Sequence, residues 1–379
     1  MLLFLKPNVL QNGFFESFRE ICRCTFVTTG YDVRRARRFS LSLLEGRCFM
    51  RQKVFYALSL LVALSALFGG CSAAPAENTV IEPSEVPIYQ TPASTVEMEL
   101  DIAPLAQSPA VSSLLLPEAS GTTVYKNETA LIDASNTEDG YVMIRCLKSG
   151  EKRMKVIISG PSGTAYTYNL PRNGEYVVFP LSDGNGAYTA AVYENAYDSK
   201  YALVLDAKLE VTLKDEFVPF LTPNQFVNYT PQTKGVLLAQ KLTQGVTDPL
   251  KKIEIVFDYV VNNLNYDYEL AENIKSGYLP DLDAVLESKK GICFDYASLM
   301  TAMLRSLGIP TKLVVGYTGD LYHAWINTYT EKGGWVDGVI FFDGATWKLM
   351  DPTFLSTDGD DEMVKYVENA ANYTAKFLY

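Results

Sequence analysis

The chain has 379 residues, 48% of them hydrophobic and 12% aromatic, with a formal net charge of −11. That composition excludes a disordered polypeptide, and the length allows more than one domain. The acidic balance argues against a nucleic-acid partner, because phosphate binding needs a basic surface.

In chain order, residues 1–49 form an upstream extension carrying Arg34, Arg35, Arg37 and Arg38. They precede Met50, which opens a signal in the usual way, so an early translation start explains them better than a nucleic-acid patch does. Arg51 and Lys53 lead into an apolar run, Val54–Phe68. It is long enough for a signal-peptide core and short for a membrane span, although an uncleaved anchor helix is the alternative. The run ends in Leu67-Phe68-Gly69-Gly70-Cys71, which resembles the lipobox of bacterial lipoproteins. That resemblance implies lipidation of Cys71, a membrane contact through the N-terminal lipid, and an extracytoplasmic location. Residues 1–71 hold 10 Lys+Arg and 4 Asp+Glu, so of the chain's 33 and 44 the rest keeps 23 and 40. The basic start is therefore a targeting feature.

Residues 72–115 are rich in Pro, Ser, Thr, Ala and Glu and read as a flexible tether. Residues 116–215 change character. Gly140–Leu147, Met154–Ser159, Ala165–Leu170, Glu175–Pro180 and Tyr188–Tyr193 are β-branched or aromatic runs separated by turn signals such as Asn173-Gly174. They predict an all-β sandwich.

Residues 216–379 predict an α+β domain. Asp248-Pro249 reads as a helix start. Ile253, Val256, Phe257, Val260, Val261 and Leu264 then form one apolar helical face. A helix over Leu282–Lys289 is expected to stop at Gly291, and another over Ile292–Leu307 at Gly308 and Pro310. Strands are expected at Lys312–Tyr317, Tyr322–Tyr329, Val339–Phe342 and Trp347–Met350.

The chemistry-bearing residues sit in this last stretch. Cys293 opens a predicted helix, where the free N–H groups and the positive dipole end stabilise thiolate and an acyl oxyanion. A buried structural cysteine is the bland alternative. His323, the chain's one histidine, lies in an apolar, aromatic strand and is able to exchange a proton with a thiol. With a single histidine, no metal site is expected, and no cofactor. Asp351 ends a strand before Pro352, where its carboxylate could orient an imidazole or simply form the turn. Cys146 and Cys293 fall in different predicted domains, which argues against a disulfide between them.

Gly-x-Cys-x-Asp-Tyr-Ala around Cys293, His-Ala-Trp at His323 and Met-Asp-Pro-Thr at Asp351 together resemble the transglutaminase-like superfamily over roughly residues 245–355. The resemblance implies a papain-like core with Cys293 as nucleophile, His323 as general base and acid, and Asp351 as orienting acid. It implies a peptide, protein or cell-wall amide substrate, and it leaves hydrolysis and amine transfer both open. An inactive binding or adhesion module on the same fold is the alternative. The segment Glu331–Ala345 is longer than the family's short hairpin. Tyr266 and Tyr268 are candidates for a second oxyanion donor or for the cleft wall, against ordinary packing. Trp325, with Trp335 and Trp347, could line an aromatic groove or pack the hairpin.

Overall fold

The computed structural model describes residues 114–331, 333–336, 340–342, 347–349 and 370–379. The upstream extension, the signal, Cys71, most of the tether and Asp351 lie outside the described residues.

The first half is a β-sandwich of two four-stranded antiparallel sheets. One has the order β1 (Val124–Lys126), β2 (Ala130–Asp133), β3 (Tyr141–Cys146), β6 (Val177–Pro180). The other has the order β5 (Ala165–Leu170), β4 (Met154–Ser159), β7 (Gly186–Tyr197), β8 (Lys200–Val211). Period-two alternation explains the packing. Met154, Val156 and Ile158 of β4, and Tyr166, Tyr168 and Leu170 of β5, are buried, while the residues between them are not. They meet Ile132, Ile144 and Phe179 of the facing sheet in one core. Strands β4 and β5 have the extents expected from sequence. Strand β7 runs to Tyr197 rather than stopping at Tyr193, because it stays hydrogen-bonded to β8, a strand the sequence reading lacks. Strands β1 and β2 were also not anticipated; they are only three and four residues long.

The second half begins after a single turn of 3-10 helix at Val218–Phe220. It contains α1 (Lys234–Leu242), α2 (Pro249–Asn263), β9 (Asn265–Tyr266), α3 (Tyr268–Asn273), α4 (Leu282–Ser288), β10 (Lys290–Gly291) and α5 (Cys293–Ser306). Then come β11 (Thr311–Thr318), β12 (Leu321–Thr330), β13 (Gly334–Val336), β14 (Ile340–Phe342), β15 (Trp347–Leu349) and β16 (Tyr373–Leu378). An antiparallel sheet forms in the order β13-β12-β11-β16, and β14 pairs with β15 separately. The result is a mixed helix-and-sheet fold behind an all-β sandwich.

Helix α5 is the hub. All fourteen of its residues are buried, with α1, α2 and α4 packed on it and β11 and β12 behind it. Helix α2 starts as expected: Asp248 is the N-cap, and its carboxylate accepts from the Leu250 N–H at 3.0 Å. Helix α4 ends earlier than expected. Lys289 takes a left-handed φ of 53° and closes it, so Gly291 is free to serve the next element.

Both halves share one apolar cluster. Tyr168 of the sandwich stacks on Phe226, with ring centroids 5.4 Å apart, and Phe226 in turn meets Phe294 of α5 at 5.6 Å. Gln225 Nε2 donates to the Asn169 carbonyl at 2.7 Å. Arg305, near the end of α5, is fully enclosed and donates to three backbone carbonyls, those of Thr311, Thr222 and Tyr379. Burial pushes its guanidinium down to about 10, against a small opposing pull from Tyr229.

Candidate active site

Cys293 is the first residue of α5, with Ile292 as the extended N-cap residue. Two local features create this helix start. Strand β10 pairs in parallel with β9, matching Gly291 to Tyr266, and so fixes the chain just before the cysteine. Asp295, at the third helical position, turns back so that its Oδ2 accepts from the Ile292 N–H at 2.9 Å. This is half of a capping box. Ile292 has no side-chain acceptor, so the Asp295 N–H bonds the Ile292 carbonyl instead, at 2.9 Å. The bent-back carboxylate leaves no space beside residue 291. A Cβ there would stand 2.7 Å from Asp295 Cβ, which is why glycine occupies the position.

Asp295 has no exposed surface. Its second donor is the Tyr278 hydroxyl, at 2.7 Å from Oδ1. Burial raises its carboxyl to about 6, against the opposing pull of those two hydrogen bonds, with the nearby Asp267 adding to the rise. Burial, and then the Asp295 charge, push the Tyr278 phenol far above its ordinary range.

His323 is the third residue of β12 and stands opposite Gly316 of β11. Its neighbour Tyr322 lies on the core side with Ala324 and Ile326. Burial, then the nearby Tyr317 and Cys293, drive the Tyr322 phenol upward, so the start of β12 lies beside the start of α5. By strand alternation, His323 projects from the other face, together with Trp325. The two rings are nearly parallel, 20° apart, with centroids separated by 6.3 Å. Trp325 also meets Tyr373 edge-on at 5.3 Å. Gly316 makes this possible. A Cβ there would lie 2.1 Å from the Thr374 carbonyl and 2.8 Å from the Trp325 ring. Cys293 and His323 are both buried, at 1% and 5% exposure.

The remaining expected residues are placed as follows. Tyr266 sits in β9 and Tyr268 opens α3; their rings meet edge-on at 5.0 Å. Tyr268 is 46% exposed, so this pair flanks the entry to the cysteine helix. Trp325 is 4% exposed and Trp335 packs against Phe217, Phe220 and Tyr329, so these two side chains behave as sheet packing. Cys146 and Cys293 are both free, buried thiols.

Sequence reasoning passed over Asp295 and Tyr278. The signal for Asp295 was present: an acid three positions after the residue that precedes a helix is a capping pattern. Tyr278 lies in an irregular segment between α3 and α4, and no periodicity marks it.

Residues 237–337 match the family model described as the transglutaminase-like superfamily. The chain is 33% identical over 123 residues to the uncharacterized protein YebA of Bacillus subtilis (strain 168), covering 26% of this chain and 16% of that protein. It is 31% identical over 133 residues to the uncharacterized protein ML0607 of Mycobacterium leprae (strain TN), covering 32% of this chain and 44% of that protein. The chain thus spans less than half the length of each of these curated relatives. Among solved structures, red sea bream transglutaminase aligns over 60% of this chain and 53% of its own, at 13% identity and a TM-score of 0.27.

Proposed function

We propose that this chain, whose residues 237–337 carry a transglutaminase-like superfamily core, is a cysteine enzyme that acts on peptide or protein amide bonds outside the cytoplasm, held to the membrane by a lipid on Cys71. The observation that carries the reading is Cys293 at the first position of a fully buried helix, beside the start of the strand that bears the chain's one histidine.

In this reading the Cys293 thiol passes its proton to the His323 imidazole, and the thiolate attacks the amide carbonyl. The helix start stabilises the oxyanion. The imidazolium returns its proton to the departing amine, leaving a thioester on Cys293. Water, deprotonated by the same imidazole, then releases the acid and restores the thiol. Asp351 holds the imidazole in the required tautomer. We favour water over an amine as acceptor, which makes the activity hydrolytic, with peptide or cell-wall amides as the substrate class.

Alkylation by iodoacetamide, read at Cys293 by peptide mass spectrometry, tests the core of this. Fast labelling near neutral pH that is lost in His323→Ala supports the enzyme. Labelling no faster than an ordinary thiol sinks it. Peptide cleavage measured beside amine incorporation then separates hydrolysis from transfer. Metabolic labelling with a fatty-acid probe, compared with Cys71→Ala, tests the anchor.

A second reading draws on the near-complete burial of Cys293 and His323 and on the alternation that turns His323 away from the core side of β12. There the fold is a catalytically inactive scaffold for binding or adhesion. It predicts slow labelling that His323→Ala leaves unchanged.

A further inference from the structure

The sign of the surface reverses at one end of the sandwich. After residue 71 the chain holds 40 Asp+Glu against 23 Lys+Arg. The connection between β3 and β4, residues 147–153, instead reads Leu-Lys-Ser-Gly-Glu-Lys-Arg, three cations against one carboxylate, and every residue of it is exposed. The tip of the β7–β8 hairpin, Tyr197-Asp198-Ser199-Lys200, stands beside it. The Asn195 N–H donates to the Arg153 carbonyl at 2.8 Å, and Arg153 Nη2 donates to the Asp198 carbonyl at 3.4 Å. Arg172, from the β5–β6 connection, ties the first loop down through the Lys148 and Lys152 carbonyls and pairs with Glu194. Lys152 also approaches Glu194, at 4.0 Å. The carboxylates of these two tips are therefore Glu151, Asp198 and an already paired Glu194.

Each tip also leaves an apolar side chain in water. Leu147 is 42% exposed and Tyr197 49%. The Lys200 ammonium lies over the Tyr197 ring, 4.7 Å from its centroid, and donates to its hydroxyl at 2.9 Å. One exposed apolar residue is ordinary on a soluble surface. Here two stand at adjoining tips among cations. That combination suits a phospholipid surface: the leucine enters the acyl boundary, the phenol stays at headgroup level, and the cations meet phosphate.

We propose that this end of the sandwich, Leu147–Arg153 with Tyr197 and Lys200, docks on the anionic face of the membrane that carries the protein. The proposal goes beyond the amide-cleaving reading and takes from it only the membrane anchor. The chain from Cys71 to Leu114 reaches at most roughly 150 Å. Strand β7, at 12 residues, is only about 40 Å long, so the tether lets this end meet the same membrane. Tethering also raises the local concentration of lipid, so weak contacts suffice. Docking here fixes which way the helix–sheet half faces, because the two halves share one core.

The test is lysine footprinting of the full chain on vesicles, by acetylation with an N-hydroxysuccinimide ester read by peptide mass spectrometry. Vesicles of phosphatidylcholine alone are compared with vesicles enriched in phosphatidylglycerol. On the anionic vesicles, acetylation of Lys148 and Lys152 should fall about three-fold or more, while the exposed Lys241 and Lys289 of the other half keep their rates. High salt, or Leu147→Glu combined with Tyr197→Glu, should restore labelling. The proposal is overturned if Lys148 and Lys152 label alike on both vesicles, if the double variant stays protected, or if Lys241 and Lys289 are protected by the same factor. It is also overturned if soluble polyphosphate protects as well as the anionic vesicles do, which would mark a polyanion site in place of a membrane face. Flotation reads the anchor separately. A chain that floats with both vesicles and shows no protection defeats the docking face and leaves the anchor. A chain that floats only with the anionic vesicles and is protected there defeats the anchor and leaves the face.

Discussion

The β-sandwich and the helix–sheet half solve burial differently. Among the described residues, the sandwich buries one charged side chain, Asp133, at the end of β2, where the backbone N–H groups of Gly121 and Ser135 donate to it. The other half buries Asp295, Arg305 and His323 at its centre, on or behind α5. A sandwich needs only two apolar faces. A half with a helix start aimed at a strand must hold a fixed geometry, and buried polar groups with few partners enforce one at a cost in stability. The contrast also appears in the arginines. Arg172 of the sandwich is largely covered, but its partners, the Lys152 and Lys148 carbonyls and Glu194, are solvent-accessible, while Arg305 bonds main-chain oxygens of Thr311, Thr222 and Tyr379 in the interior.

This comparison can be broken at several points. The largest effect is expected at Arg305. Arg305→Ala orphans three carbonyls and should cost about 3–5 kcal/mol in urea unfolding, against about 1–2 kcal/mol for Arg172→Ala, whose partners reach water. Equal losses would remove the distinction between the halves.

Next is the pH dependence from Asp295. Its folded carboxyl is raised from 3.8 to about 6, so the native state binds the proton more tightly than the unfolded chain does. Stability from this group is therefore full below about pH 4 and falls as pH rises through about 6, by roughly 3 kcal/mol at most. Urea midpoints of the parent and Asp295→Asn, followed from pH 4 to 7, should converge at neither end but differ in slope over that window. Parallel curves would show that Asp295 is not the titrating group.

Gly291→Ala should cost about 1–3 kcal/mol, since the new methyl meets Asp295 Cβ and must displace it. At Gly163, in an open turn of the sandwich, no described atom lies within 4 Å of the Cβ position, so a substitution there is opposed by the left-handed φ of 80° and not by a clash. If Gly291→Ala labels at Cys293 as the parent does, the turn tolerates movement. The smallest effect is expected from Tyr168→Phe. Among the described residues the buried Tyr168 hydroxyl has no hydrogen-bond partner, so its removal should change stability by less than about 1 kcal/mol, in the stabilising direction. A marked loss would reveal a partner for that hydroxyl.

Much of this architecture was legible in the residues. The alternation in Met154–Ser159 and Ala165–Leu170 marked two inner strands because each has one buried face. Asp248-Pro249 marked the start of α2, since its capping is local. Helix α1 and strand β16 escaped, as did β8. In β8 the exposed Asp206, Lys208 and Glu210 alternate with the buried Ala207, Leu209 and Val211, and the pairing with β7 fixes its register. At the site, the short motifs located Cys293 and His323, each by its own sequence neighbours. The partnership of Asp295 with Tyr278 was not legible, because it spans seventeen residues and an irregular segment.

By itself, then, the sequence determined the elements whose causes are local: capped helix starts, period-two strands, and the placement of the one histidine and the one helix-opening cysteine. The tertiary structure decided what surrounds them. It buried Asp295 and gave it Tyr278, turned Tyr322 toward Cys293 and His323 toward Trp325, and fastened α5 through Arg305 to segments far along the chain. The reason is physical. Propensity and capping act over one turn of chain, whereas desolvation and charge depend on which distant atoms exclude water, and that is known only once the chain has packed.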